Sequence, residues 1–185
     1  MTSDVLTFAR ALDFAANRHV TQKRKGEAQE PYINHLADVT RLLAEATGGE
    51  DITLVLGGLL HDTIEDTDTS HDELVIEFGR DVANLVAEVS DDKLLDSAER
   101  KRLQIEKAPT KSERAKMLKI ADKTSNLHSI NESPPLDWSL RRQSDYFEWA
   151  KAVVDGCRGV NDYLEKEFDR AYERGTVIFS DRSAS

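Results

Sequence analysis

Apolar residues recur at three- and four-residue intervals along most of this 185-residue chain, the spacing that lines one face of an α-helix. Val5, Phe8, Ala9, Leu12, Ala15 and Ala16 form a first stripe. Leu36, Val39, Leu42 and Leu43 form a second, which predicts a helix over residues 34–46 that stops at Gly48-Gly49. The run "DITLVLGGLL" is apolar on nearly every side and predicts a central helix over residues 52–64. Ser70-His71-Asp72-Glu73 has the capping-box pattern and opens a short helix ending near Gly79; Val82, Leu85, Val86 and Val89 mark the next. Ser97 is placed to cap a charged helix that ends before Pro109. Another helix is expected over residues 112–130, buried through Met117, Leu118, Ala121 and Leu127. A long one follows over residues 139–174, bent at Gly156, and only "TVIF" at 176–179 reads as strand. Four residues make no sheet. The expected fold is all-α, a compact single-domain bundle of about eight to ten helices.

Composition agrees with a globular chain, 39% hydrophobic and 32% charged. The start, "MTSDVLTFAR", lacks the basic and apolar regions of a signal peptide. The longest apolar run, Ile52 to Leu60, falls far short of the ~20 residues that span a bilayer. Cys157 is the single cysteine, which fits a reducing compartment, so a cytoplasmic location is expected and no membrane partner. A net charge of −10 argues against nucleic acid as a partner, because phosphate backbones need a basic face. "KRK" at 23–25, "RKR" at 100–102 and Arg141-Arg142 are each ordinarily solvated charge runs. Gathered around one pocket, they would suit a small phosphorylated ligand.

"GGLLHDTIEDT" breaks the pattern, because His61, Asp62, Glu65 and Asp66 follow the most apolar helix directly. On a continuous helix His61 and Glu65 lie one turn apart on one strip, and Asp62 and Asp66 on the next. Carboxylates so close raise one another's pKa, burial raises them further, and the helix C-terminus disfavours negative charge. A bound cation reverses that penalty. Imidazole with carboxylate donors suits a borderline-hard ion such as Mn²⁺, Fe²⁺ or Zn²⁺. A His-Asp pair alone discriminates little, since His71-Asp72 is another, explained by its capping box. His35 in "PYINHLADV" is by itself a candidate core histidine, and Asp122 in "MLKIADKTSNL" a candidate salt-bridge partner. Together the four give the order His, His-Asp, Asp.

That order resembles the signature of the His-Asp metal-dependent phosphohydrolase superfamily. "EPYINHLADV", "LGGLLHDTIEDTDTS", "VSDDK", "ERKRLQIEKAP", "KIADKTSNL" and "DYFEWAKAVV" are similar to the hydrolase domain of RelA/SpoT homologues. They most resemble the stand-alone small alarmone hydrolases of the Mesh type, over residues 6–175, which leaves 176–185 as a tail. The resemblance implies removal of the 3′-pyrophosphate from ppGpp or pppGpp, giving GDP or GTP, with one Mn²⁺ per chain (Fe²⁺ or Zn²⁺ as alternatives). It implies His35, His61, Asp62 and Asp122 as metal ligands, and Glu65 and Asp66 as the catalytic carboxylates that share the handling of water and leaving group. It further implies Arg24, Lys25, Tyr32, Asn126, Arg142 and Tyr146 as substrate-binding residues. Leu36 and Thr124 depart from the family pattern without touching a ligand. Ser97 stands where some relatives carry a phosphate-reaching lysine. No synthetase domain is expected, and the assembly expected is a monomer or weak homodimer. A phosphatase acting on NADPH or another nucleotide through the same site is the alternative; a non-catalytic alarmone-binding protein would have lost ligands that are all present here.

Overall fold

The structure, a computed structural model, describes residues 3–183 and is all-helical. In chain order the helices are α1 (Asp4–Arg18), α2 (Ile33–Thr47), α3 (Ile52–Leu60), α4 (Thr63–Asp66), α5 (His71–Phe78), α6 (Arg80–Val89), α7 (Ser97–Lys107), α8 (Glu113–Glu132), α9 (Leu140–Asp155) and α10 (Asp162–Ser183). A 3₁₀ turn, Ala108–Thr110, joins α7 to α8. The only β-pairing among the described residues is an isolated bridge between Lys23 and Pro31.

The core has two lobes. One packs α8, α9 and α10 through Leu118, Leu127, Phe147, Val154 and Phe168; the other packs α1, α5 and α6 through Ala15, Leu74, Val82 and Val86. Helices α2 and α3 serve both: Leu43 and Leu54 belong to the first lobe, Leu36, Leu59 and Leu60 to the second. An element buried on all sides must be apolar on all sides, which is why "LVLGGLL" lacks a polar face. Its glycines let neighbours approach closely. A Cβ on Gly58 would stand 3.1 Å from Thr40 Cα on α2, and one on Gly57 would stand 2.7 Å from Leu85 on α6.

Four expectations change. The central helix ends at Leu60, because side chains take its last carbonyls: His61 Nδ1 lies 2.9 Å from Gly58 O, and Thr63 Oγ1 donates to Leu60 O at 2.6 Å. Residues 61–62 form a turn and α4 restarts the helix, so His61 and Glu65 do not share one continuous strip. The helix expected over 139–174 is two, α9 and α10. Gly159, in the left-handed region at φ 89°, turns the chain, and Asn161 Oδ1 accepts from Leu164 N at 3.0 Å to start α10. Residues 176–179 are helical, not strand, and Phe179 packs edge-on against Phe147 with centroids 4.9 Å apart. Lastly, α7 is capped by Asp96, whose carboxylate accepts from Glu99 N at 2.8 Å, and Ser97 is its first helical residue. The end of the expected tail, residues 184–185, lies outside the described residues.

Candidate active site

The first turn of α2 carries His35, the turn after α3 carries His61 and Asp62, and the middle of α8 carries Asp122. All four meet where the two lobes join. His35 Nε2 lies 3.7 Å from Asp62 Oδ2 and 3.4 Å from Asp122 Oδ1. His61 Nε2 lies 3.0 Å from Asp62 Oδ2 and 4.0 Å from Asp122 Oδ1. Donors bonded at about 2.1 Å to one ion stand about 3 Å apart at right angles and about 4 Å apart when opposite. These four separations fall in that range; His35, His61 and Asp62 each offer an atom within 4.8 Å of the others, and Asp122 joins them through its approach to the two imidazoles.

The surroundings fix each donor's orientation. The Gly58 carbonyl can only accept, so His61 holds a proton on Nδ1 and turns its Nε2 toward the cluster. That Nε2 is buried without a well-aligned hydrogen bond, a costly state unless a proton drawn by the Asp62 carboxylate 3.0 Å away, or a metal ion in its place, takes the lone pair. His35 Nδ1 sits 3.0 Å from Ser125 Oγ. The Tyr32 hydroxyl donates to Asp62 Oδ2 at 2.6 Å, and Lys123 Nζ donates to Asp122 Oδ2 at 3.0 Å. Burial alone would push both carboxyls up, but His61 and His35 hold Asp62 below the ordinary carboxylate range, and Lys123 with His35 does the same for Asp122. Burial pushes His61 down, yet Asp62 and Asp122 bring it up to about 9. Two ionised carboxylates facing two imidazoles form a donor set that fits a divalent cation.

Helix α4 points its two carboxylates apart. Glu65 Oε2 accepts the Asp91 backbone N–H at 3.0 Å, with Arg100 3.5 Å from Oε1, and burial pushes its carboxyl above the usual range. Asp66 Oδ1 takes Lys93 Nζ and Oδ2 takes Gln22 Nε2, both at 2.8 Å.

Beside the cluster opens a cavity of about 530 Å³. Arg24, Lys25, Tyr32, Asn126, Arg142 and Tyr146 all line it, as does Asp66. Asn126 donates to Asp122 Oδ1 at 2.7 Å and accepts from Arg24 at 3.0 Å, so it ties a cavity cation to the donor cluster. Arg142 lies over the Trp138 ring at 4.6 Å. Lys101 of the 100–102 basic run also lines the cavity, as do Gln22 and Trp138, which sequence reasoning missed. Lys101 falls one turn after Ser97 and was legible as a neighbour on the same face; Gln22 and Trp138 sit in loops and carry no periodic signal.

Nitrogen and oxygen donors converging between helices beside a cation-walled cavity define a class, and the chain belongs to it: residues 11–145 match the HD domain family. Within that class it belongs to the MESH1 family. It is 46% identical over 179 residues to the Homo sapiens protein named guanosine-3′,5′-bis(diphosphate) 3′-pyrophosphohydrolase MESH1, and 45% identical over 179 residues to the Xenopus tropicalis protein of that name. Each alignment covers 96% of this chain and 100% of the relative. A solved structure, described as a metazoan ortholog of SpoT that hydrolyzes ppGpp and plays a role in starvation responses, is similar at a TM-score of 0.89 and 42% identity, over 94% of this chain and 98% of its own. Among the described residues no helix is long and apolar enough to cross a membrane.

Proposed function

We propose that this chain is a metal-dependent guanosine-3′,5′-bis(diphosphate) 3′-pyrophosphohydrolase, which turns ppGpp and water into GDP and pyrophosphate, and pppGpp into GTP and pyrophosphate. The observation that supports it most is the convergence of the buried His35 and His61 Nε2 atoms on the carboxylates of Asp62 and Asp122, beside a cation-lined cavity. His35, His61, Asp62 and Asp122 would hold the ion. We assign Mn²⁺ because two imidazoles with two carboxylates suit a borderline-hard ion, with Fe²⁺ or Zn²⁺ able to meet the same donors. Such an ion supplies Lewis-acid chemistry, acidifying water and offsetting charge on phosphoryl oxygens.

The remaining work falls to side chains. Arg24, Lys25 and Arg142 neutralise substrate phosphates, and Tyr32, Asn126 and Tyr146 shape the wall that receives the nucleoside. Glu65, anchored by Asp91 N–H and raised by burial, takes a proton from the attacking water. Water oxygen bonds to the phosphorus next to the ribose 3′-oxygen, the bond from that phosphorus to O3′ breaks, and O3′ collects its proton at the Asp66–Lys93 pair. Hydrolysis of ppGpp in ¹⁸O-labelled water, read by ³¹P NMR, tests this. The label should enter pyrophosphate and leave the ribose 3′-hydroxyl unlabelled. Release of orthophosphate, or label on the ribose, would overturn it.

A further inference from the structure

We propose that Lys101 forms, with Lys25 and Arg142, a second phosphate-binding point that holds a terminal phosphoryl group of the substrate away from the metal donors. The inference rests on the hydrolase reading above. Helix α7 gives the cavity only Ser97 and Lys101, one turn apart on the same face. Lys101 is the cation of that pair. Its ammonium lies 5.8 Å from the Tyr146 ring centroid and 5.1 Å from that of Trp149, and no carboxylate stands within 4.0 Å of it. Most basic side chains around the site are already committed: Lys123 to Asp122, Lys93 to Asp66, Arg24 to Asn126. Lys101 is not.

Its surroundings repel it. Burial, then Arg142, Lys123 and Lys25, push the amine below its usual range, with Asp145 the acidic counterweight. Arg142 pairs with Asp137 and Lys123 with Asp122, whereas Lys101 has no carboxylate within 4.0 Å. Gathering cations on one wall therefore disfavours the Lys101 charge in the free protein and is relieved by a polyanion. The metal donors can take one phosphate of the substrate, whereas a bis(diphosphate) carries further phosphates that need partners elsewhere. Two sources share the required chemistry, the 5′-diphosphate and the outer phosphate of the 3′-diphosphate. Lys123, paired with the donor Asp122, lies 4.5 Å from the centroid of the same Trp149 ring, so both ammonium groups border that indole and only Lys123 is tied to the donor cluster.

Lys101→Met keeps the stem against the rings and removes the charge; Lys101→Arg restores it. For ppGpp, Lys101→Met should raise KM about 10- to 100-fold, the range for one charge-assisted phosphate contact, and Lys101→Arg should recover most of the loss. A guanosine 3′-diphosphate with a free 5′-hydroxyl separates the sources. A penalty that shrinks on this substrate assigns the 5′-diphosphate, and an equal penalty assigns the outer 3′-phosphate. Calorimetry of inorganic pyrophosphate binding to metal-free protein reads the same point without turnover, and Lys101→Met should weaken it at least tenfold. Unchanged KM and unchanged pyrophosphate binding would overturn the inference, as would a fall in kcat alone. If wild type fails to cleave ppGpp while pyrophosphate binding still depends on Lys101, the hydrolase reading falls and the anion site stands.

Discussion

Tyr32→Phe deletes one oxygen and should weaken metal binding without disturbing the fold. The hydroxyl donates to Asp62 Oδ2 at 2.6 Å, the oxygen that faces both imidazoles. Hydrogen bonds to charged groups contribute about 1.5–3 kcal/mol, and each 1.4 kcal/mol is about tenfold in affinity. The expected rise in the Mn²⁺ dissociation constant is therefore about 10- to 100-fold, the range seen when a partner that orients a metal ligand is removed. The phenyl ring keeps its stacking on His19 (5.1 Å) and its edge contact with His35 (5.4 Å), so packing is preserved. Titration of metal-stripped protein by calorimetry measures the constant directly, and excess Mn²⁺ should restore most of kcat. Ser125→Ala is the internal comparison: a neutral bond to His35 Nδ1 at 3.0 Å contributes about 0.5–1.5 kcal/mol, so its loss should cost about tenfold at most. A Tyr32→Phe protein that binds Mn²⁺ within twofold of wild type, or loses affinity less than Ser125→Ala, would refute the reasoning.

Other outcomes follow from the same geometry. Glu65→Gln should cut kcat about 10²- to 10⁴-fold. Because the folded protein holds the Glu65 proton more tightly than the unfolded chain does, its ionisation costs stability as pH rises through that raised range, so Glu65→Gln should melt higher than wild type at pH 8 but not at pH 4. With Glu65 as base, kcat/KM should fall on the acid side with an apparent pKa above the ordinary carboxylate value, which a pH-rate profile at saturating metal would show. Mn²⁺ at about a hundred times its dissociation constant should stabilise the fold by about 2.7 kcal/mol, or roughly 5–11 °C in Tm; chelator in a thermal scan should reverse it. Gly175→Ala places a methyl into the Phe147 ring where α10 crosses α9 and should destabilise by about 1–3 kcal/mol in urea unfolding, leaving metal affinity alone.

Much of the site was legible because its chemistry contradicts its surroundings. Three carboxylates and an imidazole after "LVLGGLL" stand out against the apolar helix; the structure brings His61 and Asp62 together with His35 and Asp122, whereas Glu65 and Asp66 turn to separate partners. The errors were local. Periodicity carried the central helix through His61 and Asp62, since those residues are compatible with helix; the break comes from side chains capturing Gly58 O and Leu60 O, which no spacing rule records. The same blindness merged α9 with α10, although Gly159 and Asn161 hold a left-handed turn and a cap. "TVIF" was misread because β-branched residues suit strands, whereas here Phe179 is drawn into the helix by Phe147. Tyr32's bond to Asp62 and Lys101's place in the cavity depend on tertiary contacts between elements far apart in the chain, and these lie beyond any single stretch of sequence.

The most direct measurement is pyrophosphate release from ppGpp by metal-stripped protein as Mn²⁺ is added back, with Asp62→Ala and Asp122→Ala run alongside. Turnover should be absent without metal, reach its maximum near one equivalent per chain under tight-binding conditions, and stay absent in both variants. Full turnover by the stripped protein, or by either variant, would contradict a metal held by these four residues.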